Sequence, residues 1–159
     1  MNESAICAGT FDPLTMGHVD VIERASRIFP RVVIAVATNP GKNPLFTLEE
    51  RIELVSSSTA HLDGIEVDSF DGLLVDFAES VGVRVIVRGL RAFSDFEYEF
   101  QMALTNRKLK PAIETIFLMP KQDYSYVSSS NVRTVASLGG DISQFVPPPV
   151  QRALEARFG

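Results

Sequence analysis

The sequence is poor in the residues that build metal cages and covalent staples: it has one cysteine, Cys7, and two histidines in 159 residues. A lone cysteine excludes a disulfide within the chain and an all-cysteine metal cage. Two histidines give little material for a dedicated zinc site. Apolar runs reach only five or six residues, too short to span a bilayer. The opening residues MNESAIC carry neither the basic nor the long apolar region of a secretory signal, so a cytoplasmic protein is expected, with no membrane partner. The net charge is −5 without a block of like charges, which argues against nucleic acid as a partner. Neither GxxxxGK[ST] nor GxGxxG occurs, so the chain is not a P-loop protein and a dinucleotide cofactor is not expected. HExxH and a Ser-His-Asp pattern are missing as well. No repeat, linker or low-complexity stretch interrupts the chain, and 45% hydrophobic with 22% charged residues is ordinary for a folded domain. A single domain over residues 1–159 is expected.

What is present is alternation. Ala5 to Ala8 is a short apolar run ending at Gly9. The turn Thr10-Phe11-Asp12-Pro13 follows, and Gly17-His18 opens an amphipathic helix with Val19, Val21, Ile22, Ala25, Ile28 and Phe29 on one face. Val32 to Thr38 reads as a strand buried on both faces. A loop of Pro, Gly and Asn precedes Thr47-Leu48-Glu49-Glu50, a capping box that starts a helix to about Ala60. Ile65–Asp68 and Val83–Val87 read as further strands, with a helix over Leu73–Ser80 between them. Ser94–Glu97 reads as a second capping box before a long helix to about Leu109. Ile113–Met119 is the fifth strand. A helix capped by Ser129 or Ser130 follows, and a last one comes after Pro147-Pro148-Pro149. The pattern predicts an α/β fold: a doubly wound, Rossmann-like five-stranded parallel sheet with helices on both faces.

In such sheets ligands bind beyond the carboxyl ends of the strands. Those ends carry Thr10 and His18 after strand one, Lys42 after strand two, Arg88 and Arg91 after strand four, and Ser128-Ser129-Ser130 after strand five. Three cations, a histidine, hydroxyls and helix N-termini on one edge suit a polyphosphate. Taken singly, each feature has a plainer reading. Thr10–Pro13 could be an ordinary turn, His18 a helix-start residue, Lys42 a solvated charge and the serines mere caps. Arg88 is harder to dismiss, because it extends an apolar strand and needs a partner there. The aromatics between Phe93 and Phe100 read as core or interface packing.

GTFDPLTMGH, with Thr15-Met16-Gly17-His18, resembles the nucleotidyltransferase superfamily signature [HT]xGH, and VSSSNVR resembles its second signature. NPGKNPLFTLEERIEL, VIVRGLRAFSDFEYEFQMALTNRKL and FLMPKQDYSYVSSSNVR together are similar to the phosphopantetheine adenylyltransferase family, over essentially the whole chain. The resemblance implies transfer of the adenylyl group of ATP to 4′-phosphopantetheine, giving dephospho-coenzyme A and pyrophosphate, with Mg²⁺ held mainly by ATP phosphates and water. It also implies a homohexamer and feedback by coenzyme A. Carried over by position, His18, Lys42 and Arg91 are catalytic. Thr10, Phe11, His18, Gly89, Leu90, Arg91, Glu99 and the run Tyr124, Ser125, Tyr126, Val127, Ser128, Ser129 and Ser130 meet ATP. Thr10, Lys42, Leu74 and Arg88 meet phosphopantetheine. Cys7-Ala8 departs from the Tyr-Pro of many members, and Tyr124 stands where some have Trp. Rival readings are another nucleotidyltransferase on the same scaffold, a non-catalytic adenine-nucleotide sensor, and a structural domain using its charges for its own ion pairs.

Overall fold

A computed structural model describes residues 3–38, 43–91 and 93–159, without the side chains of 93–95. The elements run β1 (Ser4–Gly9), α1 (Met16–Ile28), β2 (Arg31–Ala37), α2 (Leu48–Ser58), β3 (Ile65–Phe70), α3 (Leu74–Ser80), β4 (Val85–Gly89), α4 (Phe93–Leu109), β5 (Glu114–Leu118), α5 (Ser129–Ser137) and α6 (Pro148–Phe158). A single turn of 3₁₀ helix, Gln122–Tyr124, precedes α5. The five strands form one parallel sheet in the order β3-β2-β1-β4-β5. The expected architecture is therefore present.

The two-sided burial of the central strands explains their unbroken apolar sequence. Ala5, Cys7, Val32, Ile34, Val36 and Val87 join a core with Val19, Ile22 and Ala25 of α1, Val55 of α2, Val132 of α5 and Leu154 of α6. The alternate residues Ile6, Val33, Ala35 and Ile86 face Val75 and Ala78 of α3. The edge strand β3 has a half-buried pattern instead, alternating with exposed Glu66 and Asp68.

Local signals set most element ends. Thr47 and Glu50 exchange both bonds of the capping box that starts α2. Several ends differ from expectation: β3 runs on to Phe70, α3 starts at Leu74, β5 is Glu114–Leu118, and three more differ as follows. The helix after β5 is capped by Ser128, whose hydroxyl accepts from the Asn131 N–H at 3.0 Å, so Ser129 and Ser130 already lie inside it. Ser94 lies inside α4, which begins at Phe93. Val83 lies ahead of β4, its N–H bonded to the Ala78 carbonyl at 2.9 Å.

Candidate active site

Strand order reverses between β1 and β4: from β1 the chain steps to β2 and β3 on one side, and β4 and β5 lie on the other. Beyond the carboxyl ends at that point lies a cleft of about 600 Å³. Its walls include Thr10, Phe11, His18, Leu74, Arg88, Gly89, Arg91, Glu99, Val127, Ser128, Ser129 and Ser130, so residues from all over the sequence share one space. Leu90, Tyr124, Ser125 and Tyr126 lie beside the cleft and not on its wall. Leu90 donates its N–H to the Leu118 carbonyl at 3.2 Å. Tyr124 packs behind Gly17, where an added Cβ would lie 3.7 Å from the Tyr124 Cβ. Ser125 turns its hydroxyl to the Gln122 carbonyl at 2.8 Å. Tyr126 is exposed and meets Phe145 edge-on. Lys42 lies outside the described residues.

His18 is fixed by the helix that it starts. Thr15 caps α1, accepting from the His18 N–H at 3.3 Å, and the His18 Nδ1 accepts in return from the Thr15 N–H at 3.0 Å. An Nδ1 that accepts is the bare nitrogen, so Nε2 carries the hydrogen. Burial, then the charges of Arg88 and Arg91, push the imidazole pKa down to about 4. At neutral pH His18 is an uncharged donor.

Arg88 sits in an ion pair with Glu99 of α4, Nε to Oε2 at 3.0 Å, and its Nη1 donates to the Ala8 carbonyl at 2.8 Å. Burial would lower its pKa, but the Glu99 hydrogen bonds and charge outweigh that and raise it. Arg91 donates to the Val127 carbonyl at 3.3 Å, tying the end of β4 to the segment before α5. Cys7, on the cleft floor, is pushed up to about 12 by burial against the opposing pull of Arg88, so it is an inert thiol.

The turn 10–13 is braced by contacts from α2, α5 and the segment before α2. Phe11 has φ +53°, a left-handed conformation that costs about 1–2 kcal/mol for a residue with a Cβ. Its ring is wedged between Gly9 and His18, with ring centroids 5.1 Å apart for the His18 contact. A Cβ on Gly9 would lie 3.2 Å from the Phe11 Cζ, so any larger residue there would push the ring by a few tenths of an ångström. Asp12 is buried, and its carboxylate accepts from the Leu45 N–H at 2.8 Å and the Phe46 N–H at 2.9 Å. Arg133 donates to the Asp12 carbonyl, and Ser129 donates its hydroxyl to the Pro13 carbonyl at 2.7 Å. Arg51 of α2 is only 1% exposed and donates to the carbonyls of Thr10, Ala37 and Phe46.

Asp12, Thr15 and Arg51, and Tyr98, which also lines the cleft, escaped the reading of site residues from sequence. Asp12 and Thr15 sit inside the GTFDPLTMGH stretch and were legible as members of the motif. Nothing in the sequence around Arg51 marks it, since its helix position looks like any solvated arginine.

Fold and cleft together gather a histidine, two arginines and hydroxyls at the switch point of a doubly wound sheet, a setting suited to nucleotide phosphates. Residues 6–135 match the cytidylyltransferase-like family. A phosphopantetheine adenylyltransferase from Heliobacterium modesticaldum (strain ATCC 51547 / Ice1) is 51% identical over 155 residues, covering 98% of this chain and 92% of that protein. The chain belongs to the phosphopantetheine adenylyltransferase family, within the cytidylyltransferase-like group. A solved structure from Vibrio parahaemolyticus, assigned as a nicotinate-nucleotide adenylyltransferase, superposes with a TM-score of 0.72 at 22% identity, covering 98% of this chain and 93% of that one. That likeness speaks to the fold alone.

Proposed function

We propose that this protein transfers the adenylyl group of ATP to 4′-phosphopantetheine. The observation that supports this most is the meeting of His18, Arg88 and Arg91 on one cleft in a chain 51% identical to a phosphopantetheine adenylyltransferase. A phosphate oxygen of the acceptor attacks the α-phosphorus of ATP in line. The new P–O bond forms as the bond to the bridging α,β-oxygen breaks, and pyrophosphate leaves with that electron pair. The nucleophile arrives anionic, so no general base is needed.

The chain's task is to let two anions meet. Arg88 and Lys42 serve the acceptor phosphate, with Leu74 beside the pantetheine arm. Arg91, Gly89, Thr10 and the stretch from Val127 to Ser130 serve ATP. The Nε2–H of His18 bonds the α-phosphate as charge builds there.

The Mg²⁺ that the family resemblance implies finds no protein cage: among the described residues no group of three or more His, Cys, Asp or Glu converges. The nearby carboxylates of Asp12, Asp20 and Glu99 are engaged by backbone N–H groups or arginines. No step is therefore assigned to a protein-held ion.

Self-association as a hexamer, feedback by coenzyme A and a cytoplasmic location belong to the same proposal. The exposed side chains of Phe96, Tyr98, Phe100, Met102 and Leu104 on α4 support a contact between copies. No helix of the described residues is long and apolar enough to cross a membrane.

Pyrophosphate release tests the reading, measured with ATP or CTP against 4′-phosphopantetheine and nicotinate mononucleotide. Release with ATP and 4′-phosphopantetheine is expected. Release only with the mononucleotide, only with CTP, or with no acceptor in the panel, rejects it.

A further inference from the structure

The backbone from the end of β1 through the first turn has its carbonyls tied to four donors on three other elements, β4, α2 and α5. The Ala8 carbonyl goes to Arg88, that of Thr10 to Arg51 at 2.9 Å, that of Asp12 to Arg133, and that of Pro13 to Ser129. Thr10 and Phe11 line the cleft, whereas Arg51 is buried behind them and is not on its wall. The Thr10–Phe11 peptide is trans, the one cis bond among the described residues being Asp12–Pro13. In a planar trans peptide the N–H points opposite to the C=O. Holding the Thr10 carbonyl back on Arg51 therefore turns the Phe11 N–H forward. None of the described residues accepts a bond from that N–H. A residue in the left-handed region is one element of the concave arrays of N–H groups that take anions.

We infer that Arg51 is a positioning residue for phosphate transfer: by holding the Thr10 peptide plane, it aims the Phe11 N–H into the cleft as a donor to the triphosphate. The inference rests on the adenylyl-transfer reading for the identity of that anion. Three features support it. A guanidinium buried without a carboxylate contact among the described residues is costly, and three carbonyls on three segments are what it holds. Phe11 keeps an unfavourable backbone conformation, which persists only where the surroundings impose it. The ring of Phe11 meets that of His18 edge-on, with centroids 5.1 Å apart, and both residues line the same cleft.

Two measurements test it. In wild-type protein, inorganic tripolyphosphate should move the Phe11 amide proton downfield in ¹H–¹⁵N spectra. An unmoved Phe11 amide, while the amides of Ser128 to Ser130 respond, overturns the inference. Arg51→Met, which deletes all three bonds, should lower kcat by roughly 10²-fold, the usual effect of losing one such donor, with the ATP KM changed by less than about threefold. Arg51→Lys, which keeps a charged donor near the Thr10 and Ala37 carbonyls, should recover at least about tenfold of that loss. A folded Arg51→Met with wild-type kcat, or an Arg51→Lys no better than Met, also overturns it. If Arg51→Met does not fold, Arg51→Lys decides: its Phe11 amide should respond less to tripolyphosphate than wild type, and an undiminished response counts against the inference. Wild-type protein that releases no pyrophosphate with any acceptor rejects the functional reading alone, and the tripolyphosphate titration still decides the role of Arg51.

Discussion

Thr15 and His18 exchange hydrogen bonds across the first turn of α1, hydroxyl to N–H in one direction and imidazole Nδ1 to N–H in the other. The usual partner of Ser or Thr in such a box is Glu or Gln. Here a histidine fills that place, so the same contact that starts the helix selects the tautomer of a side chain that lines the cleft. Thr15→Ala removes only the hydroxyl half. It should lower stability by about 1 kcal/mol, the usual cost of a lost N-cap. The backbone N–H of residue 15 remains, so ¹⁵N spectra of the imidazole should still show Nε2–H. Loss of that tautomer in the variant would show that the hydroxyl, and not the main chain, sets it.

The depressed pKa of His18 carries a signed consequence for stability. In the unfolded chain a histidine takes up its proton below about 6.5, but folded His18 does so only near 4. Between those values the unfolded state binds more protons, so stability rises with pH through that window and is lost on acidification. The contribution is at most about 3 kcal/mol at about 1.4 kcal/mol per pKa unit. His18→Gln should flatten this part of the curve. Equal slopes for wild type and variant between pH 4 and 6.5 would remove His18 from the account. At neutral pH, His18→Ala should lower kcat by about 10²–10³, with a smaller change in ATP KM.

Glu99 holds Arg88 from α4, and its side chain is 9% exposed against 35% for the arginine. Removing one partner of a buried pair leaves the other charge uncompensated. Glu99→Ala should therefore destabilise by roughly 3 kcal/mol, toward the low end for such pairs because water still reaches Arg88. The double variant Glu99→Ala with Arg88→Ala should cost less than the sum of the two single changes, and a double-mutant cycle measures the difference. Strict additivity would mean that the pair contributes nothing as a pair.

The strands and their order of appearance were legible because two-sided burial writes itself as unbroken apolar runs such as Val32 to Val36. The rim was legible where cations follow strands, and His18, Arg88 and Arg91 do share one cleft. Glu99, expected from the resemblance as an ATP contact, lines the cleft, and its pairing with Arg88 was not legible in the sequence. Arg51 could not have been read, because a buried arginine that serves main-chain carbonyls has no pattern of its own. Its partners Thr10, Ala37 and Phe46 are up to 41 residues away in sequence. Ser128 rather than Ser129 as the cap is a matter of one residue among three identical ones, which composition does not separate.

Asp12 fastens two segments that are far apart in sequence: its two carboxylate oxygens each take one N–H, from Leu45 and Phe46. The first turn thereby gains a fixed contact with the approach to α2, which Arg157 of α6 also grips through the Leu45 carbonyl and Glu50. Asp12→Asn preserves shape but sets an NH₂ group against one of those N–H donors. A bond between a charged acceptor and a buried N–H contributes about 1.5–3 kcal/mol, and the mismatched donor adds a desolvation penalty. A loss of about 2–3 kcal/mol is expected. In urea, with an m-value of about 2 kcal/mol/M, the midpoint should fall by about 1 M at unchanged slope. A midpoint within about 0.2 M of wild type, where m is the same, would mean that the carboxylate charge does nothing that an amide oxygen cannot do. A reduced m-value would instead show that this contact holds the native state together beyond the turn itself.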